Sequence, residues 1–533
     1  MASRIADGRR KSSSPDPRPG GLDSSSILGA LLAVILVGGG CSSRSLIQVG
    51  GGVTLTCSVG DGSISDGSPG DAGQACQQGC PTGESTGAEP KLITSGENAY
   101  WKESAWTELP DGEADLTVDE STTYQTWLGF GGTFNEVGWD VLSLLSPPER
   151  DCAMKLLFDP KTGAGFVFGR IPIGASDYAL DRYTLDETPD DYAMASFSIE
   201  RDRRFLFPYI QAALAIHPGI HLWASPWTPP SWMKDNNALD GGNMKSDPNI
   251  LQAYALYLAR FVEEYAKEGL AIEAIHPQNE PGYASGYPSC LWTADLFKTF
   301  VGTYLGPTFA ARDITAEIYL GTLANAESGK DSTILSAVTD DATAMGYVRG
   351  FGLQWNMISS VPGLVSRNLD LPIVQTEHQC GNYPWKEGSF LSSQAPNNYD
   401  YAVESWGLIR DWIDAGVNAY SAWNMVLDTV GYNLDGTHWP QNALLTVDRT
   451  TGTLTATPAY YVFRHVSQFV VPGATRVATT GKTDALAFKN PDGGIVAIVH
   501  NPDGAARTTT LGVPGANLQF EVPARGWATV RWP

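Results

Sequence analysis

An α/β fold, a (β/α)8 TIM barrel with a small antiparallel β-sandwich side domain, is what this sequence predicts. Three observations lead there. Eight β-rich runs alternate with helical patterns between residues 126 and 440. From 441 to 533 the pattern changes to short alternating runs split by Asn-Pro-Asp-Gly turns at 490–493 and 501–504. The chain has 533 residues, 42% hydrophobic and 17% charged, enough for one large core with a satellite and too apolar for global disorder.

Taken in chain order, residues 1–41 read as an export signal. Arg4, Arg9, Arg10, Lys11 and Arg18 form a basic start, and 27–37 is an apolar run too short to span a bilayer comfortably. Gly38-Gly39-Gly40-Cys41 resembles a bacterial lipoprotein cleavage site, although Gly38 stands where such sites usually carry Leu. The expectation is an exported protein tethered to a membrane through lipidated Cys41, with free secretion the alternative. Residues 42–95, rich in Gly, Ser and Asp, read as a flexible linker. Cys57, Cys76 and Cys80 lie in it without a nearby His, which after export points to a local disulfide rather than a metal site. Gly83-Glu84-Ser85-Thr86-Gly87 fits the serine-hydrolase elbow in letters only, because no strand precedes it and no apolar helix follows. Residues 96–125 are expected to lend strands to the side domain.

The expected barrel strands are 127–130, 166–173, 220–225, 272–278, 317–320, 352–355, 372–376 and 418–423. The clearest helix is 250–267, where Leu251, Tyr254, Leu258, Phe261 and Tyr265 recur at steps of three and four. A doubly wound sheet would want a phosphate turn after its first strand. Gly129-Phe130-Gly131-Gly132-Thr133-Phe134 lacks the third glycine at the required spacing.

A barrel places its working residues at the carboxyl ends of its strands. Two carboxylates stand there: Asn279-Glu280-Pro281 ends the fourth strand and Thr376-Glu377-His378 the seventh. Two carboxyls at one mouth suit cleavage of an acetal, one protonating the leaving oxygen while the other attacks the anomeric carbon. Position alone would equally suit charges at helix N-termini or ion-pair partners.

Around these residues several motifs follow in order: Gly129-Phe130-Gly131-Gly132, then Arg170-Ile171-Pro172-Ile173-Gly174-Ala175-Ser176-Asp177-Tyr178, then Ala224-Ser225-Pro226-Trp227-Thr228-Pro229-Pro230-Ser231-Trp232-Met233-Lys234, then Asn279-Glu280-Pro281 with Ser285-Gly286-Tyr287-Pro288. Together they resemble glycoside hydrolase family 30, within it the glucosylceramidase (acid β-glucosidase) branch, over roughly 125–480. The resemblance implies a retaining β-glycosidase with Glu280 as general acid/base and Glu377 as nucleophile. It implies that Asn279 bonds the sugar 2-hydroxyl, that Arg170 lies near Glu377, and that Asp177 and Trp227 hold the glucosyl hydroxyls. Trp423 becomes a stacking wall, and Tyr287 and Asn442 line the mouth. Trp232 is expected to pack its loop. The run His378-Gln379-Cys380-Gly381-Asn382-Tyr383-Pro384-Trp385 departs from the animal glucosylceramidase pattern, and it borders the aglycone side.

The pH behaviour follows from that assignment. Glu280 should be held protonated by burial and by the charge on Glu377, and Glu377 held ionised by Arg170, giving a bell-shaped profile centred at mildly acidic pH. Forming the glycosyl-enzyme removes the charge on Glu377, so Glu280 can then act as a base toward water.

Other chemistries find little support. The net charge of 35 − 58 = −23 argues against a nucleic-acid partner. The seven His form no H-E-x-x-H, and Pro218-Gly219 breaks any helix joining His217 to His221. No P-loop is present, and double displacement needs neither metal nor cofactor. The resemblance implies a glucosylceramidase or β-glucosidase that hydrolyses a terminal β-glucosyl bond of glucosylceramide or a similar β-glucoside, glucosylated lipid or glycan. An endo-β-1,6-glucanase or β-xylosidase is the alternative within the family, and a non-catalytic carbohydrate-binding surface lipoprotein the alternative outside it. The presence of both glutamates argues against the binder.

Overall fold

The computed structural model describes residues 45–49, 52–56, 89–110, 112–326, 330–386, 388, 390–481 and 484–533. The export signal with Cys41, the cysteines at 57, 76 and 80, and the elbow-like run at 83–87 lie outside the described residues. Contact clustering separates 1–69 from 70–533. Within the first unit, Ser45–Val49 and Gly52–Thr56 form an antiparallel hairpin inside the stretch expected as linker.

The second unit holds a closed barrel of eight parallel strands in sequential order. They are Gly129–Thr133, Phe168–Ile173, His221–Pro226, Ile272–Ile275, Glu317–Leu323, Val348–Leu353, Ile373–Gln375 and Ala419–Asn424. The last pairs with the first through Ala419 opposite Gly129, which closes the ring. The first strand is glycine-rich because the barrel wall leaves no room. A Cβ at Gly131 would come within 2.3 Å of the Phe168 carbonyl oxygen.

The clearest helix runs Pro248–Lys267. Pro248 begins it two residues before the periodic pattern does, and Asp247 caps it by accepting from the Asn249 and Ile250 N–H groups. Its buried residues include all five apolar positions that predicted it.

The barrel interior is polar-aromatic. Trp223 stands between the Arg170 guanidinium, 5.2 Å from its ring, and His276, whose ring centroid is 4.4 Å away; Tyr319 follows at 5.3 Å from His276. Burial and the Arg170 charge push the His276 pKa well down, so that imidazole stays neutral.

The side domain is a ten-stranded sheet drawn from 91–126 and 475–532, rather than from 96–125 and 441–533. Residues 441–470 belong to the barrel side. They carry two strands of a small three-stranded sheet, completed by Val426–Asp428, and the helix Pro458–Ser467. The strand Ile495–His500 shows how the two parts join. Val496 and Ile498 belong to the barrel core, whereas Ile495, Ala497 and Val499 fill a second core inside the sandwich. With both faces covered, the strand reads as a continuous apolar run. Polar pins reinforce the joint: His465 bonds Thr529 at 2.8 Å and Ser95 at 2.7 Å, and the Trp406 indole N–H donates to Asp484 at 2.9 Å.

Candidate active site

The fourth strand ends regularly at Ile275, short of the expected 278, but the chain beyond it stays tied to its neighbours. His276 N–H donates to the Ala224 carbonyl (2.9 Å), Asn279 N–H to Pro226 (2.7 Å) and Glu280 N–H to Thr322 (2.9 Å). Glu280 is thereby held in a left-handed conformation, φ +48°, which costs a non-glycine residue on the order of 1–3 kcal/mol. The seventh strand behaves alike. Thr376 N–H donates to Leu353 and His378 N–H to Ser421, so Glu377 is fixed from both sides.

Arg170, on the second strand, joins these segments. Its side chain is fully buried. One terminal nitrogen donates to Glu377 Oε2 and the other to Asn279 Oδ1, each at 2.7 Å, and Nε donates to Ser225 Oγ at 3.1 Å. Its guanidinium lies 4.3 Å from the Trp227 ring. Thr322 Oγ1 also donates to Asn279 Oδ1, at 2.8 Å. With two donors on that oxygen, the Asn279 amide has one orientation, and Nδ2 is its donor for a ligand.

Gln354, at the end of the sixth strand, links the two acids. Thr376 Oγ1 donates to its Oε1 at 2.8 Å, which fixes the amide so that Nε2 donates to Glu280 Oε1 at 3.1 Å. Its hydrogen bonding also favours the ionised form of Glu377. The neighbouring Trp355 donates its indole N–H to Glu377 Oε1 at 3.3 Å.

The electrostatics separate the pair. Burial, and after it the charge of Glu377, pushes the Glu280 pKa well above the usual carboxyl range. Burial raises Glu377 as well, but Arg170, Trp355 and Gln354 all oppose it. Glu377 is the acid of the two that ionises first, because among the described residues it is the one in an ion pair. Asp177 is pushed up to about 8 by burial and by Glu377, against Arg170 and a hydrogen bond from Trp227. Burial lowers the Arg170 pKa, but guanidinium stays charged over the working range.

Glu280, Glu377, Arg170 and Asn279 thus meet at one mouth, with Asp177 close enough to feel their charges. Trp227 and Trp423 stack at 5.2 Å and 26° beside Arg170. Tyr287 stands on the cleft wall against Trp439, centroids 6.0 Å apart. Asn442 is held by backbone partners. It is 2% exposed, its Oδ1 accepts from the Asn397 N–H at 2.9 Å, and its own N–H donates to the Cys380 carbonyl. It braces the loop after Glu377 because its amide oxygen is already committed to backbone. Trp232 packs its loop as expected, edge-on to Tyr192 at 5.5 Å.

Sequence reading missed Gln354, Trp355, Thr322 and Trp439. Gln354 and Trp355 were findable, since polar residues at the carboxyl end of a barrel strand share the mouth with Glu280 and Glu377. Trp439 sits on a loop that no periodicity marks.

The description "Glycosyl hydrolase family 30 TIM-barrel domain" matches residues 127–470, and "Glycosyl hydrolase family 30 beta sandwich domain" matches 473–530. The chain is 30% identical over 457 residues to "Putative glucosylceramidase 1" of Caenorhabditis elegans, covering 79% of this chain and 83% of the relative. It is 28% identical to "Lysosomal acid glucosylceramidase" of Mus musculus, covering 78% and 83%. A solved endo-β-1,6-glucanase superposes with a TM-score of 0.74 at 25% identity, covering 84% of this chain and all of the other. From the two domain matches, in the order and extent that the barrel and sandwich occupy, the chain belongs to glycoside hydrolase family 30, a family of O-glycosyl hydrolases.

Proposed function

We propose that the protein hydrolyses terminal β-glucosyl bonds by double displacement. Glu377 attacks the anomeric carbon while Glu280 gives its proton to the glycosidic oxygen, so the aglycone leaves as an alcohol and a glycosyl ester forms on Glu377. Glu280, now ionised, takes a proton from water. The water oxygen displaces the ester carboxylate, releasing glucose with the anomeric configuration retained and restoring both acids. Asn279 Nδ2 donates to the 2-hydroxyl, and Asp177 with Trp227 receives the remaining hydroxyls against the Trp423 face.

One observation carries this reading: Arg170 grips Glu377 with one nitrogen and Asn279 with the other, while Glu280 makes no ion pair among the described residues and is held by the Gln354 amide. That asymmetry makes one carboxyl a nucleophile and the other an acid. The test is Glu377→Gln assayed on an aryl β-glucoside, where turnover is expected to vanish. Undiminished hydrolysis would remove the assigned nucleophile, and a first-formed α-anomer in proton NMR of the wild-type reaction would refute retention.

Two leaving groups fit the family: the lipid alcohol of a glucosylated lipid, as in the glucosylceramidases, and a second glucose unit, as in the endo-β-1,6-glucanases. The likeness to the solved glucanase supports the second. Export and tethering through Cys41 belong to the same proposal, supported by the basic start, the apolar run and the Gly-Gly-Cys ending. Loss of detergent-phase partitioning in Cys41→Ser would be the expected sign, and unchanged partitioning would refute the tether.

A further inference from the structure

Beside Glu280 the mouth opens into a cleft of about 560 Å³, a size that suits a small ligand. Resting on the double-displacement reading above, we propose that this cleft is an aglycone subsite for a sugar ring, with Trp385 as its platform. The leaving group would then be a carbohydrate rather than a lipid chain.

The platform is built, not incidental. Trp385 is 67% exposed and lines the cleft. One face of its indole is taken by Tyr383, whose ring lies 4.6 Å away at 7°, so its exposed surface is the opposite face and the edges. Tyr383 is buried and packs 5.4 Å from Trp355, the residue whose N–H holds Glu377. The exposed ring is therefore linked to the nucleophile through two aromatic contacts, both from elements flanking the seventh strand. Across the cleft Tyr287 stacks on Trp439, and Tyr283 is 43% exposed beside Glu280.

The lining chemistry selects the ligand. Its apolar surface is aromatic, and among the described residues Ala324 is the one aliphatic side chain in the lining. Ser285, Asn325 and Asn356 add hydroxyl and amide groups to the lining. A sugar ring presents flat C–H faces bordered by hydroxyls, which suits aromatic faces bordered by polar groups. An acyl or sphingoid chain gains most from flexible aliphatic and Met side chains, which adapt to its shape. Among the described residues the lining holds no Met and no aliphatic side chain longer than Ala.

The test uses the full chain and three substrates: β-glucosyl fluoride, whose leaving group is one atom; a β-1,6-linked glucotriose; and glucosylceramide in mixed micelles. Wild type should show a higher kcat/KM on the glucotriose than on glucosylceramide. Trp385→Ala should lower the ratio of kcat/KM for glucotriose to that for the fluoride by roughly three- to tenfold. Trp385→Phe, which keeps a ring, should restore most of it. An unchanged ratio in Trp385→Ala, or glucosylceramide as the better wild-type substrate, would overturn the proposal. A wild-type protein inert toward β-glucosyl fluoride would overturn the hydrolytic reading itself, and the subsite with it.

Discussion

Replacing Arg170 by Met tests the electrostatic core of this site. The guanidinium is 0% exposed and its partner Glu377 is 7% exposed, so water cannot fill the place it leaves. Two charge-assisted contacts of 2.7 Å disappear with it, one to Glu377 and one to Asn279. Breaking a buried pair by removing one partner costs about 3–5 kcal/mol. The size of the loss should depend on pH, with a definite sign. Arg170 opposes the burial that raises Glu377, so in the variant the folded-state pKa of Glu377 rises further above its unfolded value. The folded chain then retains a proton that the unfolded chain has released, and stability falls as pH rises through that window. The deficit should be smallest at acidic pH, where the folded and unfolded chains both hold the proton, and grow toward about 3–5 kcal/mol as pH rises. Urea unfolding of wild type and variant at an acidic and at a higher pH measures it. The acid limb of kcat/KM should move to higher pH in any residual activity. Equal destabilisation at both pH values would refute the charge argument and reduce Arg170 to a packing residue over Trp223, Trp227 and Trp423.

Two further outcomes are expected. Gln354→Leu removes the donor that favours ionised Glu280, so the basic limb of the pH profile should move to higher pH; activity on substrates with poor leaving groups should fall roughly tenfold. A basic limb that stays in place would show that Gln354 does not tune the acid. Asp247→Ala removes the cap of the helix Pro248–Lys267 and should cost about 1 kcal/mol in urea unfolding. An unchanged midpoint would mean that the tertiary contacts of that helix make the cap redundant.

The barrel was legible because its signal is local. Each strand is a short β-rich run, and burial on both sides makes those runs apolar enough to stand out. The helix Pro248–Lys267 announced itself by period. Its start was harder to read, because Asp247 and Pro248 act through capping geometry rather than hydrophobicity. The sandwich boundary was misplaced for a related reason. Residues 445–456 form short strands that resemble those of the tail, yet they pair with Val426–Asp428 on the barrel side, and only the pairing tells them apart.

At the mouth the division is sharper. The sequence alone determined which two carboxyls stand at strand ends and so could work together, Glu280 and Glu377; Arg170 and Asn279 were named by the family resemblance of their motifs. For the two carboxyls, order along the chain is enough, because a parallel barrel sends every carboxyl strand end to the same side. Only the tertiary structure decided what each of them is. Arg170 divides its hydrogen bonds between Glu377 and Asn279, Gln354 is oriented by Thr376 toward Glu280, Asn442 is spent on the Asn397 backbone, and Trp385 is propped on Tyr383. Apart from the local Tyr383–Trp385 stack, those outcomes depend on side chains meeting across segments some twenty to two hundred residues apart. Charge and hydrogen bonding act over a few ångströms in space, and separation along the chain carries no record of that distance.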